Sequence, residues 1–394
     1  MAADPHSRSA ASAGTAPGSP LPPVLFAGLA VASIGGPIAL VSLFPGTVGD
    51  GVDSAGVVVA LSLVAFAAPL LIWWRYSERV VSPGGLSAFV GAAAGRRAAL
   101  VHGWIWAFAY FLYLPYTVTY VVYDLLAPVF PGVAPYRSAL ELVIPVLIVL
   151  VVLAPVRAVL VGVALLGASQ LVALLALAGV EYAHVHASFA GSPSLEGTGS
   201  GAGDAALLFV CASLPLYLGA EVRGGARTVR PVLVGAVAAV GAAFLLAAIP
   251  LVGVPDALRS APVPGAAIAE AYGGRAFGDV IGLLTAGSAL GLIVAEYLAL
   301  GRLIHWLHGV PLRPTLAWIG VPFVLADVVS LVDPDGFYEN LLKPSLGALF
   351  VSQALVFLVF PRFRRGPLAL ALGALAAALA GWGMYTLLAG GAST

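Results

Sequence analysis

Charged residues are scarce in this chain. Its 394 residues include 18 lysines and arginines and 18 aspartates and glutamates, so only 9% carry a charge. Soluble domains usually carry about 25% charged residues, and the scarcity therefore excludes an ordinary water-soluble enzyme or binding module. The two signs cancel to a formal net charge of zero, and we expect no nucleic-acid partner.

Cysteine is nearly absent as well. The single cysteine, Cys211, excludes an intrachain disulfide. The sequence also lacks a metal-ligand spacing of histidine, cysteine and carboxylate residues, a paired serine and histidine, and an aspartate dyad. We therefore expect no metal, no cofactor and no enzymatic activity, and an intramembrane enzyme is the least favoured class.

Apolar residues make up 61% of the chain. Long apolar runs predict transmembrane helices, and we expect an all-α integral membrane protein embedded in a lipid bilayer. The expected spans are 21–44, 56–75, 101–126, 139–154, 157–180, 204–221, 231–254, 278–301, 315–332, 341–360 and 367–388.

Basic residues are distributed unevenly over the loops between these spans. With the N-terminus inside, 14 of the 18 fall on the cytoplasmic side and 4 on the outer side, as the positive-inside rule requires. We expect a multi-pass protein of the cell membrane with a cytoplasmic N-terminus. Residues 1–20 are small, polar and proline-rich, which predicts a disordered cytoplasmic tail.

Two spans contain residues that interrupt helices. The first span reads Ser33-Ile34-Gly35-Gly36-Pro37, and the sixth reads Ser213-Leu214-Pro215, 180 residues later. An interrupted helix exposes backbone N–H and C=O groups, which a membrane protein tolerates only where protein or a watery cavity covers them. Matching interruptions in two halves of a chain indicate the substrate site of a transporter.

Two loop motifs recur at nearly the same offset. Pro83-Gly84-Gly85 is echoed by Pro264-Gly265-Ala266, and Gly95-Arg96 by Gly274-Arg275, at offsets of 181 and 179. Coincidence in a chain rich in glycine and alanine explains any single match. Three matches at one offset favour an internal repeat.

The repeat predicts the organisation of the chain. An odd number of spans in each unit inverts the second unit relative to the first, so the two interruptions meet near the midplane. The loops within 77–100 and 255–277 predict short helices that either gate the pathway or only fill the interface. The expected units are a first five-helix repeat at 21–180, an outer linker at 181–203, a second, inverted five-helix repeat at 204–360, and an accessory helix with the C-terminus at 361–394.

The two interruptions supply candidate ligands for a substrate. Free N–H groups at the start of a half-helix favour a carboxylate, although glycine-mediated helix packing explains the same residues. Pro215 frees carbonyl groups for an ammonium, although a simple proline kink is the alternative. The candidates at these positions are Ser33, Ile34, Gly35, Gly36, Cys211, Ser213, Leu214 and Tyr217.

The third span carries a stripe of tyrosines. Tyr113, Tyr116, Tyr120 and Tyr123 recur at three- and four-residue spacing, with Thr117 beside them, so they share one helix face. Such a face either lines a cavity, with ring and hydroxyl presented together, or packs against neighbours.

Acidic residues inside or next to the spans are the candidates for coupling and gating. Glu296 lies roughly 9 Å along its helix from Arg302 at about 1.5 Å per residue, and a carboxylate at that depth is a functional candidate. It carries a proton, binds a cation, or forms a salt bridge with Arg302 or another inner arginine. Glu221, followed by Arg223, is either half of an inner ion-pair gate or a solvated flank. Asp327 and Asp279 are noted without a role.

Several motifs together resemble the amino acid–polyamine–organocation superfamily of transporters. The first span resembles the family's glycine-rich helix break, and Ser82-Pro83-Gly84-Gly85 with Gly103-Trp104 resembles its first inner loop. Tyr217 to Glu221 and Leu300 to Pro311 are similar to two further family stretches. The resemblance covers roughly 25–360 and implies a five-plus-five inverted repeat of the leucine-transporter type.

The resemblance also implies secondary transport of amino acids or amines, with two departures. Gly36-Pro37 stands where the family often has Ser-Gly, and proline cannot donate an N–H to a bound anion. Gln170 stands where some proton-coupled members carry a lysine, which argues against coupling through that position. The family's sodium-dependent members use hydroxyl groups on the eighth span, but Thr285 and Ser288 are three residues apart rather than adjacent. Na⁺ is therefore less favoured than a proton.

The sequence accordingly predicts a secondary active transporter that moves a small amino acid or related amine by alternating access, coupled to protons through Glu296. The alternatives are an ion-independent exchanger and a channel or sensor that uses the same fold. Substrate identity, direction of transport and oligomeric state are left open.

Overall fold

The computed structural model describes residues 20–389, which form an all-helical fold. The predicted tail at 1–20 lies outside these residues except for its last position. The α-helices are α1 (Pro23–Ala32), α2 (Pro37–Val48), α3 (Ala55–Tyr76), α4 (Gly85–Ala94), α5 (Arg96–Tyr120), α6 (Ala127–Val129), α7 (Arg137–Leu153), α8 (Val156–His184), α9 (Leu195–Leu207), α10 (Ala226–Ala248), α11 (Asp256–Arg259), α12 (Pro264–Gly273), α13 (Arg275–His308), α14 (Leu312–Ser330), α15 (Pro334–Phe363) and α16 (Pro367–Ala389).

Shorter helical segments join or extend these elements. The segment after α5 is a π-helix, which is rare and usually a single turn. The others are 3₁₀-helices, of which the longest follows α9. The segments are Gly49–Ser54, Val121–Leu126 (π), Pro131–Tyr136, Val210–Glu221 and Ile249–Gly253.

Ten helical stretches of the described chain are long and apolar enough to cross a membrane. The first of them, Pro23–Tyr76, is 54 residues long and holds the first two expected spans, since one crossing needs only about 20 residues. The fourth expected span is present as α7, which continues through Pro145. The chain is therefore a multi-pass membrane protein.

The first span is interrupted where the sequence predicts. The N–H of Ser33, at the end of α1, donates to the carbonyl of Leu29 at 2.9 Å, and its hydroxyl donates to the same carbonyl at 2.7 Å. Gly35 and Gly36 then adopt φ angles of 59° and 65°, a region that residues with a Cβ rarely enter. Pro37 starts α2 at a position where its missing N–H costs nothing. The Gly-Gly-Pro sequence thus causes the break.

The second interruption differs from the predicted one. The helix α9 ends at Leu207, and two turn residues, Leu208 and Phe209, separate it from the 3₁₀-helix Val210–Glu221. The break therefore lies five residues before Ser213, and Pro215 lies inside the 3₁₀-helix. Proline was a misleading marker here because its missing N–H is compatible with a tightened helix.

The helices α4 and α12 occupy equivalent places in the two halves. Each spans ten residues and ends at a glycine with positive φ, 88° at Gly95 and 85° at Gly274. Gly85 on α4 packs against the ring of Tyr217, after the second break, and Gly265 on α12 packs against Ser42, after the first. Each half thus places its short helix on the other half's broken span, as an inverted repeat requires.

The two membrane-facing ends of the helix bundle differ in composition. At one of them lie the helix termini Tyr76, Arg96, Glu221, His308 and Phe363. We call this end of the bundle the arginine-rich side because most basic residues lie there.

The predicted linker at 181–203 is shorter than expected, since α8 continues to His184 and α9 begins at Leu195.

Candidate functional site

A cavity of about 530 Å³ lies in the middle of the helix bundle. Its walls come from α2, α5, the end of α9, α13 and α15. It reaches from Gly35 at the first break to Thr47, Pro262 and Tyr338, which lie toward the side opposite the arginine-rich one. The volume lies in the range of small-molecule sites, about 300–1,000 Å³.

The two breaks meet at the floor of this cavity. Gly35, Leu208 and Val210 all line it. A Cβ on Gly35 would lie 3.1 Å from the carbonyl oxygen of Leu208, so the two chains approach closely at this point. The first backbone N–H of α2 that pairs belongs to Leu40, which donates to Gly36 at 3.2 Å. N–H groups at the start of α2 and a carbonyl at the end of α9 are thus presented together.

Three of the four predicted tyrosines line the cavity. Tyr113, Tyr116 and Tyr120 contribute to its wall together with Thr117. Tyr123 departs from the stripe because the π-helical turn that starts at Val121 changes the helical phase, and its ring lies beneath Arg137 instead, 5.3 Å from the guanidinium carbon.

Tyr338 on α15 completes this aromatic wall. Its ring centroid lies 5.6 Å from that of Tyr116 and 5.7 Å from that of Tyr120. The sequence does not indicate Tyr338, because it lies near the start of its helix beside Phe337 and belongs to no stripe.

Glu296 lies one side chain away from the cavity. The carboxyl group is fully buried on α13, and the thiol of Cys211, which lines the cavity, donates to its Oε1 at 3.9 Å. The hydroxyl of Tyr110 lies 3.9 Å from the same sulfur. The other oxygen, Oε2, has no protein partner. The predicted alternative of a salt bridge with Arg302 is wrong, since Arg302 pairs elsewhere.

The two hydroxyl residues of α13 face α2 rather than the cavity. Thr285 Oγ1 lies 2.9 Å from Ser42 Oγ and 2.8 Å from the carbonyl of Ile281. Ser288 Oγ is buried without a protein partner and lies so close to Gly36 that a Cβ at this position would overlap it. Gly36 is therefore needed to let α2 start against α13.

An ion pair joins α13 to the end of the 3₁₀-helix Val210–Glu221 on the arginine-rich side. Glu221 accepts two hydrogen bonds from Arg302, at 2.6 Å from Nε and 3.1 Å from Nη2. Beside it, Leu21 donates to the carbonyl of Glu221 at 2.8 Å, and Arg223 donates its backbone N–H to Leu21 at 3.0 Å. Glu221 thus forms an ion pair, but with Arg302 and not with the arginines that follow it in sequence. Arg223 takes part through its backbone.

The remaining predicted binding residues lie away from the cavity. Ser33 and Ser213 are buried and donate their hydroxyls to carbonyls of their own segments, and Ile34 and Leu214 are buried in the apolar core. Tyr217 packs 4.4 Å from Trp106, between ring centroids. Gln170 is buried on α8, and its Oε1 has no protein partner.

Glu78 joins three helix ends on the arginine-rich side. Its carboxylate pairs with Arg75 at 3.1 Å, with Arg230 at 3.0 Å and with Arg364. Partial burial alone would raise the pKa of Glu78, but hydrogen bonds from Arg364 and Arg75 outweigh it and hold the pKa below its ordinary value. This cluster ties α3, α10 and α15 together outside the cavity.

Solved structures share this architecture. The structure of MhsT in complex with L-phenylalanine matches with a TM-score of 0.63 at 16% identity, over 92% of this chain and 97% of that one. A manganese transporter of Eremococcus coleocola matches with a TM-score of 0.57 at 12% identity, over 91% and 87%. No family model and no curated protein matches the sequence. At these identities the likeness establishes the fold, which is the leucine-transporter-type arrangement that the sequence predicts.

Proposed function

We propose that this protein is a secondary active transporter that moves a small amino acid or related amine across the cell membrane by alternating access. The observation that carries the proposal is the central cavity, because residues from both helix breaks line it. A small-molecule site at two broken helices in a membrane-spanning bundle is typical of secondary transporters that work by alternating access.

The chemistry of the lining suits a zwitterion with an apolar side chain. The N–H groups at the start of α2 favour a carboxylate, and the carbonyl of Leu208 together with tyrosine rings favours an ammonium. Leucines from α2, α13 and α15 complete the wall, and they suit an apolar group. The structure of MhsT holds L-phenylalanine, which is a substrate of this chemical type.

The proposed coupling residue is Glu296. A carboxyl group buried beside the cavity, with one oxygen unpartnered and no ion pair to a basic residue within the described part of the chain, is stable when it carries a proton. Cys211 lines the cavity and donates its thiol hydrogen to Glu296, so it connects the carboxyl group with a bound substrate. Substrate ammonium entering the cavity therefore favours ionisation of Glu296, and substrate release favours protonation.

The Glu221–Arg302 pair is the proposed cytoplasmic gate, with the arginine-rich side inside. Beside the pair, the backbone of Leu21 bonds to that of Glu221 and Arg223 at the end of the 3₁₀-helix. Opening toward the cytoplasm requires the pair to separate, while the tyrosines at the outer end of the cavity close over the substrate.

The test is reconstitution of the full chain into liposomes with a panel of radiolabelled amino acids and amines. We expect concentrative uptake of at least one apolar amino acid that depends on an inward proton gradient and collapses with an uncoupler. Uptake that requires a second substrate preloaded inside the liposomes and does not depend on the proton gradient would make the protein an exchanger. Downhill flux alone, or saturable binding without flux, would make it a channel or a sensor.

Glu296→Gln tests the coupling residue, with the exposed Glu339→Gln as its control. The variant keeps the shape of the side chain but cannot release a proton, so we expect it to lose gradient-driven uptake while retaining substrate binding. Unchanged proton-driven uptake in Glu296→Gln would remove Glu296 from the mechanism.

A further inference from the structure

A second group of buried polar side chains lies on the far side of α5 from the cavity. Thr119 on α5, Glu141 on α7, and Asp327 and Ser330 on α14 are each at most 2% exposed. Thr119 lies between Thr117 and Tyr120, which line the cavity, but it faces the opposite way. We call these four residues the back cluster.

The hydrogen bonds of the back cluster distinguish its two carboxyl groups. Glu141 Oε1 accepts from Thr119 Oγ1 at 2.5 Å and from Ser330 Oγ at 2.6 Å. Two donors on one oxygen are the arrangement that stabilises an ionised carboxylate. Asp327 receives none, since both of its oxygens, like Glu141 Oε2, are buried without a protein partner.

Basic groups do not neutralise these carboxyls. Arg137 lies one helical turn before Glu141 on α7, but its guanidinium lies over the ring of Tyr123. On α13, the hydroxyl of Tyr297 donates to the carbonyl of Leu316 at 2.6 Å. Asp335 at the start of α15 adds only negative charge near Tyr123. No ion pair within residues 20–389 includes Glu141 or Asp327.

Two ionised carboxylates cannot persist together at such a place. Burial penalises each charge. The Ser330 hydroxyl lies 2.6 Å from Glu141 Oε1 and 2.8 Å from the carbonyl oxygen of Asp327, so the two acidic residues are neighbours and ionisation of one disfavours ionisation of the other. We propose that the back cluster is a proton-binding site in which Asp327 holds a proton while Glu141 is ionised and accepts hydrogen bonds from Thr119 and Ser330. The site is separate from Glu296, and the inference does not depend on the proposed transport activity.

The location of the back cluster links its protonation to the conformation of the cavity wall. Binding a second proton at Glu141 weakens its bonds to Thr119, and Thr119 is followed within two residues by the π-helical turn Val121–Leu126. Turns of this kind tolerate local changes of helical phase. The tyrosines on the other face of α5 would move with that turn.

The test is infrared difference spectroscopy of the purified full chain in lipid, titrated from about pH 5 to pH 9. The C=O stretch of a protonated carboxyl group reports the proton directly. We expect one such band to be lost in Asp327→Asn. The same band should be retained in Glu141→Gln, which keeps Asp327. The exposed Glu196→Gln serves as the control and should leave the band unchanged.

Ser330→Ala provides a variant that keeps both carboxyl groups. It removes one of the two donors to Glu141, so a second protonated-carboxyl band should appear at a higher pH than in the unmodified protein. An Asp327→Asn spectrum identical to that of the unmodified protein would overturn the proposal. So would a band that responds to added NaCl at constant pH, because the cluster would then hold a cation instead of a proton.

Discussion

The ion pair between Glu221 and Arg302 provides the sharpest test of the closed side of the cavity. Glu221→Gln keeps the shape of the side chain and the backbone bond to Leu21, but it leaves the guanidinium of Arg302 without its counter-charge. Arg302 is 2% exposed and Glu221 is 31% exposed, so the pair is buried on one side and wetted on the other.

The expected magnitude follows from this mixed exposure. Breaking a fully buried pair costs about 3–5 kcal/mol, and an exposed pair contributes about 0–1 kcal/mol. For a bidentate pair with one exposed member we expect about 2 kcal/mol, between those limits. If the pair exists only in this conformation, its loss shifts the ratio of the two conformations by about 30-fold.

Cys211 makes this ratio measurable, since it is the only cysteine of the chain and lines the cavity. A membrane-impermeant thiol reagent is applied to right-side-out and to inside-out vesicles. The ratio of the two labelling rates should change about 30-fold in Glu221→Gln in favour of the arginine-rich side. The exposed Glu196→Gln should leave the ratio unchanged.

The double variant Glu221→Gln with Arg302→Gln separates a gate from a purely structural pair. Removing both charges leaves no unpaired buried charge, so the double variant should be more stable to heat than Glu221→Gln alone. A labelling ratio in Glu221→Gln that stays within threefold of the unmodified protein, while thermal stability falls, would refute the role of the pair in holding the cavity closed.

Three further predictions follow from the same structure. Gly36→Ala should lower thermal stability by about 2 kcal/mol, because the φ of 65° is strained for alanine and the new Cβ would meet Ser288; an unchanged melting temperature would contradict this. Tyr338→Ala should speed labelling of Cys211 about tenfold by removing two ring contacts, whereas Tyr338→Phe should not. Glu78→Gln should lower the melting temperature at neutral pH, and its difference from the unmodified protein should shrink as the pH falls below about 4.3 and through the lowered pKa of Glu78, since a lowered pKa contributes stability that is lost as pH falls.

Local features of the sequence predicted much of the fold. Apolar runs predicted the membrane spans, and Gly35-Gly36-Pro37 predicted the first break, because a positive φ and a missing N–H are properties of single residues. The echo between the two loop motifs predicted α4 and α12. The second break was misplaced because Pro215 fits a 3₁₀-helix, and nothing in the composition of residues 207–209 distinguishes a turn from a helix.

The candidate site was predicted in part. The shared face of Tyr113, Tyr116 and Tyr120 was predicted from helical periodicity, which left open whether that face lines a cavity or packs; the three residues line the cavity. Periodicity failed at Tyr123 because the π-helical turn changes the phase. The proposed roles of Glu296 and of the helix breaks in binding and coupling stay predictions for the experiments above.

By itself the sequence determined that the chain crosses a membrane many times, and it predicted an interruption of the first span and a repeat of the two halves. These properties depend on hydrophobicity and backbone preference, which act within about one helix. Only the tertiary structure decided that Arg302 pairs with Glu221 across 81 residues. It also decided that the cavity-lining thiol of Cys211 contacts Glu296, and that Glu141 and Asp327 are buried next to Ser330. Each of these depends on which faces of distant helices pack together, and side chains from many helices determine that packing jointly.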